Sequence, residues 1–241
     1  MSRLLQCTNG RAICFPMEPA RKVDGRVERG ERTRRQILDA AVHIGSVEGL
    51  EGLTIGGLAQ KLAMSKSGLF AAFGSKEELQ LATVDHAAQI FVEQVVRPAM
   101  AAPRGLPRLW ALCDAKLGYS QKEVFRGGCF FAATSAEFDG RPGAVRDRIA
   151  AHMKSWLKVL VGAVERAQQE GHLRAEVDPG QLAFELDSYA MGANWAYQLF
   201  GDAAAFDRAR GATKARLDAA QPAPARQSSP ARRAKPTASS D

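Results

Sequence analysis

The stretch from Thr54 to Phe73, TIGGLAQKLAMSKSGLFAAF, constrains the fold of this chain most, because it predicts two short helices joined by a tight turn. Apolar residues recur at helical spacing in its first half, and Thr54 precedes them as a predicted N-cap. Met64 and Ser65 leave room only for a turn, after which Ser65 caps the second helix. Two such helices form the unit that places a helix in the major groove of DNA.

The second helix of this unit has an apolar side and a small, cationic start. Its spacing predicts that Leu69, Phe70 and Phe73 face the core. Lys66 and Ser67 are predicted to be exposed near its N-terminus. This distribution suits a helix whose N-terminal end contacts DNA.

A strongly capped third helix is predicted to follow at once. Ser75 and Glu78 match a capping box, in which the Ser75 hydroxyl accepts from the backbone of Glu78 and the Glu78 carboxylate reaches back to Ser75. The helix that starts here is predicted to run from Lys76 to about Ala101. It would link the N-terminal unit to the rest of the chain.

The positive charge of the chain lies at its two ends. Residues 1–76 carry 12 Lys and Arg against 7 Asp and Glu, and residues 201–241 carry 8 against 4. Residues 77–200 carry 13 against 15, so the middle is slightly acidic. Basic ends suit a polyanionic partner, whereas a neutral middle suits a packed binding or assembly domain. Simple solvation of the basic ends is the alternative.

The remaining pattern is helical throughout, so the fold class is predicted to be all-α with about nine helices. A first helix is expected from Glu31 to Glu48. Further helices are expected near residues 105–119, 128–138, 142–170, 179–200 and 203–217. Residues 1–29 are expected to be a disordered basic arm and residues 219–241 a disordered tail. Whether Met17 is the true start is left open.

Several functional classes are not expected from this composition. No apolar run approaches the roughly 20 residues that a membrane span needs, and the N-terminus lacks the apolar core of a signal peptide. The four cysteines and four histidines show no metal-ligand spacing. No catalytic constellation or phosphate-binding glycine loop is present. We therefore expect a cytoplasmic protein that is not an enzyme and needs no metal or cofactor.

Four blocks of sequence, in order and at matching spacing, make residues 31–91 resemble the DNA-binding domain of the TetR (tetracycline-repressor) family. The blocks are Thr33–Ala41, Gly49–Thr54, Ser65–Phe70 with Phe73, and Ser75–Leu79. The resemblance implies a helix-turn-helix domain over residues 30–76, whose linking helix continues to about 91. It also implies a helical effector-binding and dimerisation domain over residues 77–218.

The resemblance further implies which residues contact DNA. The partner would be a double-stranded operator bound by a homodimer, with a small-molecule effector causing release. The residues carried over to the DNA interface are Thr54, Ser65, Lys66, Ser67, Gly68, Phe70, Phe73 and Lys76.

The sequence departs from the family pattern at several positions that bear on operator choice and on stability. Phe70 stands where a tyrosine is common, so a phosphate-contacting hydroxyl is lost. The other departures are Gly45, Gly56, Gly57, Ala71 and Ala72. A glycine in a helix interior costs roughly 0.5–1 kcal/mol relative to alanine.

Large apolar residues in the second domain are candidates for an effector pocket and a dimer interface. The helix at 179–200 has two apolar stripes, one containing Leu186 and Phe200 and the other Phe184 and Trp195, so both sides should be buried. The expected pocket residues are Phe91, Trp110, Cys113, Phe131, Trp156, Tyr189, Asn194 and Trp195, and the expected interface residues are Phe184, Met191 and Trp195.

The favoured hypothesis is a dimeric repressor released from an inverted-repeat operator by a small apolar or aromatic effector. Few charges are expected inside the second domain, which favours such an effector. Two alternatives stay open at this point. One is a thiol-responsive regulator using Cys129, whose pKa would be lowered at a helix start. The other is a constitutive DNA binder without an effector.

Overall fold

The computed structural model describes residues 25–223, and their side chains from residue 28 onwards. Within that range the chain forms nine helices and no strand, as the sequence predicts. They are α1 (Gly25–Glu48), α2 (Ile55–Lys61), α3 (Lys66–Phe73), α4 (Lys76–Phe91, continued by a π-helical turn at Val92–Val96 and by Arg97–Ala99), α5 (Leu106–Gln121), α6 (Phe130–Phe138), α7 (Ala144–Gln169), α8 (Pro179–Phe200) and α9 (Ala204–Ala220). No helix among these residues is both long and apolar enough to cross a membrane.

The predictions for Met17, for residues 1–24 of the arm and for residues 224–241 of the tail lie outside the described residues. Within them, two predicted boundaries are wrong. The first helix begins at Gly25 instead of Glu31, because Arg and Glu are good helix formers and Glu28 lies in the favourable first turn. At the other end, α9 continues to Ala220 and so includes the first residues of the predicted tail.

The long helix predicted after residue 76 is present, but a π-helical turn interrupts it at Val92–Val96. Pro98 lies two residues beyond the end of that turn and has no N–H to donate to the preceding turn of helix. We attribute the irregular turn to this missing hydrogen bond. π-Helical turns are frequent at functional sites.

The described chain divides into two units, residues up to Gln36 and residues from Ile37 onwards. The first is the N-terminal part of α1. In the second, one continuous hydrophobic core contains Leu58 of α2, Leu69 of α3 and Leu160 of α7. The helix-turn-helix and the C-terminal helices therefore share buried apolar contacts, and the domain boundary at residue 76 stays a prediction.

Helix α8 is buried on one side only. Leu182 and Leu186 are at most 2% exposed and pack into the core. The prediction that Phe200 belongs to the buried stripe is wrong, because its side chain is 64% exposed and packs edge-on against the exposed ring of Trp195. Phe200 is the last residue of α8, where Gly201 turns the chain away in a left-handed conformation.

Candidate functional site

The helix-turn-helix is built by the two N-caps that the sequence predicts. Oγ1 of Thr54 accepts a hydrogen bond from the Gly57 N–H at 3.0 Å, and Oγ of Ser65 accepts from the Gly68 N–H at 3.1 Å. A Cβ at Gly68 would lie 2.9 Å from the Ser65 hydroxyl oxygen. Gly68 thus leaves room for the cap, which is a structural reason for glycine at this position.

The outer side of α3 is polar at its start and carries one aromatic ring. Lys66, Ser67 and Gly68 are exposed. The prediction that Phe70 faces the core is wrong, because its side chain is 57% exposed. Phe73, in contrast, is 5% exposed and belongs to the core, so its burial removes it from the residues that can contact DNA.

Lys76 is already paired with an acidic residue. Its Nζ lies 2.7 Å from a carboxylate oxygen of Glu51, and a guanidinium nitrogen of Arg141 lies 3.9 Å from the other oxygen. The hydrogen bond from Lys76 lowers the pKa of Glu51. A phosphate at Lys76 would have to compete with this carboxylate.

The capping box predicted at the start of α4 is half formed. The Ser75 hydroxyl accepts from the Glu78 N–H at 3.1 Å, as predicted. The Ser75 N–H, however, donates to the Phe73 carbonyl at 2.8 Å, so the Glu78 carboxylate is not its acceptor. The backbone turn at Gly74, with φ of +72°, supplies the second half of the cap.

Helix α6 braces the turn between α1 and α2. The Glu137 carboxylate accepts from the N–H groups of Leu50 and Glu51, at 2.7 and 2.8 Å. Helix α6 also explains the glycine at position 45, because a Cβ on Gly45 would lie 3.3 Å from the ring of Phe130. The buried phenyl ring of α6 therefore occupies the space that a larger side chain on α1 would need.

A cavity of about 160 Å³ lies among α4, α5, α6, α7 and α8. Most of its wall is apolar. The lining includes Ala88, Phe91, Val92 and Val96 of α4, Phe131 of α6, Met153, Trp156, Leu157 and Val159 of α7, and Met191 of α8. Val92 and Val96 begin and end the π-helical turn, which shapes this part of the wall.

A buried ion pair forms one part of the wall. Lys116 of α5 pairs with Asp187 of α8, and their side chains are 7% and 14% exposed. Oδ1 of Asp187 also accepts from the indole N–H of Trp156 at 2.7 Å. The Lys116 ammonium lies 5.3 Å from the centre of the same indole, close enough for a cation–π contact.

A second polar contact joins the cavity wall to α4. His152, which lines the cavity, has its Nε2 2.8 Å from Oδ1 of Asp85. Arg148 pairs with the other carboxylate oxygen. Burial opposes ionisation of Asp85, but the hydrogen bonds from Arg148 and His152 outweigh it, so the pKa of Asp85 is lowered.

The structure places only part of the predicted pocket at this cavity. Phe91, Phe131 and Trp156 line it, and Phe91 packs edge-on against both other rings. The other five predicted residues, Trp110, Cys113, Tyr189, Asn194 and Trp195, do not line it. Cys113 belongs to the core, where burial raises the pKa of its thiol to about 12.

Asn194 and Trp195 have different positions from those predicted. Asn194 is 6% exposed, and its Oδ1 accepts from the Cys129 N–H at 2.8 Å, so it holds the start of α6. Trp195 is 58% exposed on the outer side of α8.

The cavity wall contains three charged or titratable residues that were not predicted from the sequence: Lys116, His152 and Asp187. Few charges were expected inside this domain. Their pairing with residues 67 to 71 positions away in the chain leaves no local pattern. The only available signal was that Lys116 lies on the apolar side of α5, between Cys113 and Leu117.

The lowered pKa of Cys129 that the thiol-responsive alternative requires is not found. The thiol is fully buried against the cavity wall, and burial raises its pKa. A raised pKa reduces the thiolate fraction, and the thiolate is the reactive form. The geometry therefore disfavours the thiol-responsive alternative.

The outer side of α8 carries an exposed apolar surface. Its large side chains are between 58% and 64% exposed. They are Phe184, Trp195, Leu199 and Phe200. Met191, the third predicted interface residue, is half-buried and lines both the cavity and a groove beside Trp195.

Two family models match this chain and together cover both parts of the fold. Residues 37–83 match the model of bacterial regulatory proteins of the tetR family, and residues 105–213 match the tetracyclin repressor-like C-terminal domain. The chain belongs to the TetR family of DNA-binding transcriptional regulators. No curated protein sequence is significantly similar to it.

Solved structures share the fold. A TetR transcriptional regulator from Chloroflexus aurantiacus J-10-FL is 24% identical, with a TM-score of 0.74 over 79% of this chain and 96% of that chain. AibR, in complex with isovaleryl coenzyme A and operator DNA, is 25% identical, with a TM-score of 0.60 over 73% of this chain and 95% of that chain. The ketosteroid transcriptional regulator KstR2 of Mycobacterium tuberculosis is 17% identical, with a TM-score of 0.59 over 79% of this chain and 96% of that chain.

Proposed function

We propose that this chain is a dimeric repressor that leaves an inverted-repeat operator when a small apolar or aromatic effector fills the cavity. One observation carries the proposal: α4 starts beside the helix-turn-helix at Lys76, and its far end lines the cavity through Phe91, Val92 and Val96. A ligand that prefers one position of α4 would shift the position of the helix-turn-helix as well.

The DNA contacts are assigned to the exposed side of α3. Lys66 would bind a phosphate, Ser67 would contact a base edge or a phosphate, and Phe70 would pack against the DNA where a tyrosine is usual. The Thr54 and Ser65 hydroxyls accept their capping hydrogen bonds and keep an O–H donor for a phosphate. Lys76 would contribute less, because Glu51 already neutralises it.

A second copy of the chain is the proposed occupant of the apolar side of α8. From Phe184 to Phe200 this surface runs about 24 Å along the helix. Large exposed apolar surfaces of this kind usually mark interfaces. Dimerisation would give two helix-turn-helix units on a two-fold axis, which is the arrangement that reads an inverted repeat.

The effector is proposed to bind inside the residue 77–218 region. AibR is a relative with a structure that contains both isovaleryl coenzyme A and operator DNA. The cavity of about 160 Å³ in the present chain suits a smaller apolar group. An engineered cavity of about 150 Å³ binds benzene, so one ring is the matching size.

The test begins with selection of an operator from a random double-stranded DNA library by the full-length protein. Bound sequences should share an inverted repeat with half-sites about one helical turn apart. Small apolar and aromatic compounds are then screened by thermal shift, and each hit is titrated against the operator complex. The Ala88→Leu variant narrows the cavity and serves as the control for binding at that site. It should bind the operator, and the compounds found in the screen should not release it.

Two results would count against the proposal. If no sequence is enriched, specific DNA reading is absent. If ligands bind in the cavity and operator affinity does not change, a constitutive DNA binder becomes the better account.

A further inference from the structure

We infer that the effector is a neutral, one-ring molecule with a single hydroxyl group, which is held between Lys116 and Asp187. The inference rests on the proposed role of the cavity as the effector site and deepens it. It names the chemical class that the wall selects.

The ion pair gives the apolar cavity one polar position without net charge. Lys116 and Asp187 come from different helices, α5 and α8, and both side chains line the cavity. Both are mostly buried, so water screens the pair little. A ligand at this position therefore meets a cation and an anion side by side.

Each partner keeps hydrogen-bonding capacity for a ligand. Within the described residues, both hydrogen bonds to Asp187 end on Oδ1, one from Lys116 and one from the Trp156 indole. Oδ2 has no hydrogen-bond partner among the described residues and is not fully buried, so it can accept one more hydrogen bond. The Lys116 ammonium has three N–H donors, and one of them serves Asp187.

A hydroxyl group matches this pair of groups. It can donate its hydrogen to Oδ2 of Asp187 and accept an N–H from Lys116. A carboxylate would meet the negative charge of Asp187, and an ammonium would meet Lys116. Either would bring an uncompensated charge into the cavity, which is costly. A plain hydrocarbon fits the apolar wall and leaves both polar groups unused.

The position of Trp156 fixes where the ring of the ligand lies. Its indole N–H is held by Asp187, and Phe91 packs edge-on against it at a centroid distance of 5.1 Å. With the hydroxyl at the ion pair, the ligand ring therefore lies along Phe91, Phe131 and Trp156, where aromatic edge-to-face contacts are available.

The experiment compares four ligands of similar size at neutral pH by isothermal titration: p-cresol, toluene, benzoate and benzylamine. The wild-type protein should bind p-cresol at least tenfold more tightly than the other three, since a site that pairs a ligand hydroxyl discriminates against analogues lacking it. Ala88→Leu should weaken binding of p-cresol, which places the ligand in the cavity.

A double variant, Lys116→Met with Asp187→Leu, tests the ion pair itself. Removing both charges together avoids leaving one buried and unpaired, and such replacements are often neutral or stabilising. In the folded double variant the Trp156 indole N–H has lost its acceptor and can still donate to a hydroxyl, so the preference for p-cresol over toluene should fall well below that of the wild type. Circular dichroism and sedimentation confirm that it is folded. The single variant Asp187→Asn, which keeps an acceptor oxygen, should show an intermediate preference.

Equal binding of toluene and p-cresol to the wild type overturns the inference, as does tighter binding of benzoate or benzylamine. Absence of p-cresol binding overturns it too, and so does a p-cresol preference that is undiminished in the double variant. All these measurements score binding alone. Release of the operator is measured separately. The proposed function can therefore stand when the preference for a hydroxyl fails, and the preference for a hydroxyl can stand when the ligand does not release the operator.

Discussion

Nε2 of His152 on α7 lies 2.8 Å from Oδ1 of Asp85 on α4, so a residue of the cavity wall is hydrogen-bonded to the helix that follows the helix-turn-helix. The next residue along α4, His86, lies 2.6 Å from a carboxylate oxygen of Asp39 on α1. Two adjacent residues of α4 thus tie the helix to the cavity wall on one side and to α1 on the other. In the proposed mechanism, ligand binding would reach the DNA-binding unit through this pair of contacts.

Replacing Asp85 by alanine should weaken the coupling between effector and operator. Couplings of this kind are typically about 1–3 kcal/mol, and residues along the connection change them by about 0.5–2 kcal/mol. Operator affinity without effector should change little. The measurement is fluorescence anisotropy of labelled operator with and without a cavity ligand. Asp147→Ala, at an exposed carboxylate on α7, is the matched control. Full coupling in Asp85→Ala would exclude this route.

Lys66 and Lys76 should contribute unequally to DNA affinity. Each phosphate contact adds about 0.9 to the slope of log affinity against log salt, so Lys66→Ala should lower the slope by about one. Lys76→Ala should lower it less, because Glu51 accepts from Lys76 at 2.7 Å. Glu51→Gln removes that competing charge and should strengthen binding. Salt titrations of operator binding check all three variants, and an unchanged slope in Lys66→Ala would remove Lys66 from the interface.

The turn of the helix-turn-helix has a residue in an unfavourable backbone conformation. Ala63 has φ of +52°, a region that glycine occupies at less cost. Ala63→Gly should therefore raise the free energy of unfolding by about 1 kcal/mol. Gly74→Ala, at φ of +72° with open space around the Cβ position, should lower it by a similar amount. Urea denaturation followed by circular dichroism measures both, and a destabilised Ala63→Gly would contradict this reading of the turn.

A charge on the outer side of α8 should dissociate the proposed dimer. Trp195→Glu would leave an unpaired ion at the interface. By analogy with broken buried ion pairs, this should weaken the free energy of association by roughly 3–5 kcal/mol. Trp195 is preferred to Met191 because Met191 also lines the cavity. Ala151→Glu adds the same charge at an exposed position on α7 and should leave the dimer intact. Sedimentation at micromolar concentration decides, and a monomeric wild type would refute the interface.

Local signals in the sequence were sufficient for the helices and their starts. Thr54, Ser65 and Ser75 each cap a helix through a backbone group three residues away, so a short window contains the whole interaction. Gly49 is also a local signal, because it follows the last residue of α1 with φ of +83°, a conformation that favours glycine at the end of a helix.

The cavity wall could not be predicted in the same way. Lys116 is buried because Asp187, 71 residues later, supplies a partner. An isolated lysine on an apolar stripe is normally exposed, so sequence spacing gives no sign of such a pair. Phe70 and Phe73 show that apolar residues are equally hard to assign from spacing alone. Both fit an apolar side at helical spacing, and only the packing of α3 decides that Phe73 is buried and Phe70 exposed.

In the proposed mechanism, a ligand in the cavity and an operator on the helix-turn-helix each weaken binding of the other. Reciprocal titration tests it most directly, with ligand affinity measured on free and operator-bound protein and operator affinity measured on free and ligand-bound protein. Both affinities should fall by the same factor, roughly 5–150-fold, because coupling free energy is reciprocal. Ala88→Leu should abolish both effects. A ligand that binds the wild-type cavity equally tightly with and without operator would rule out this mechanism.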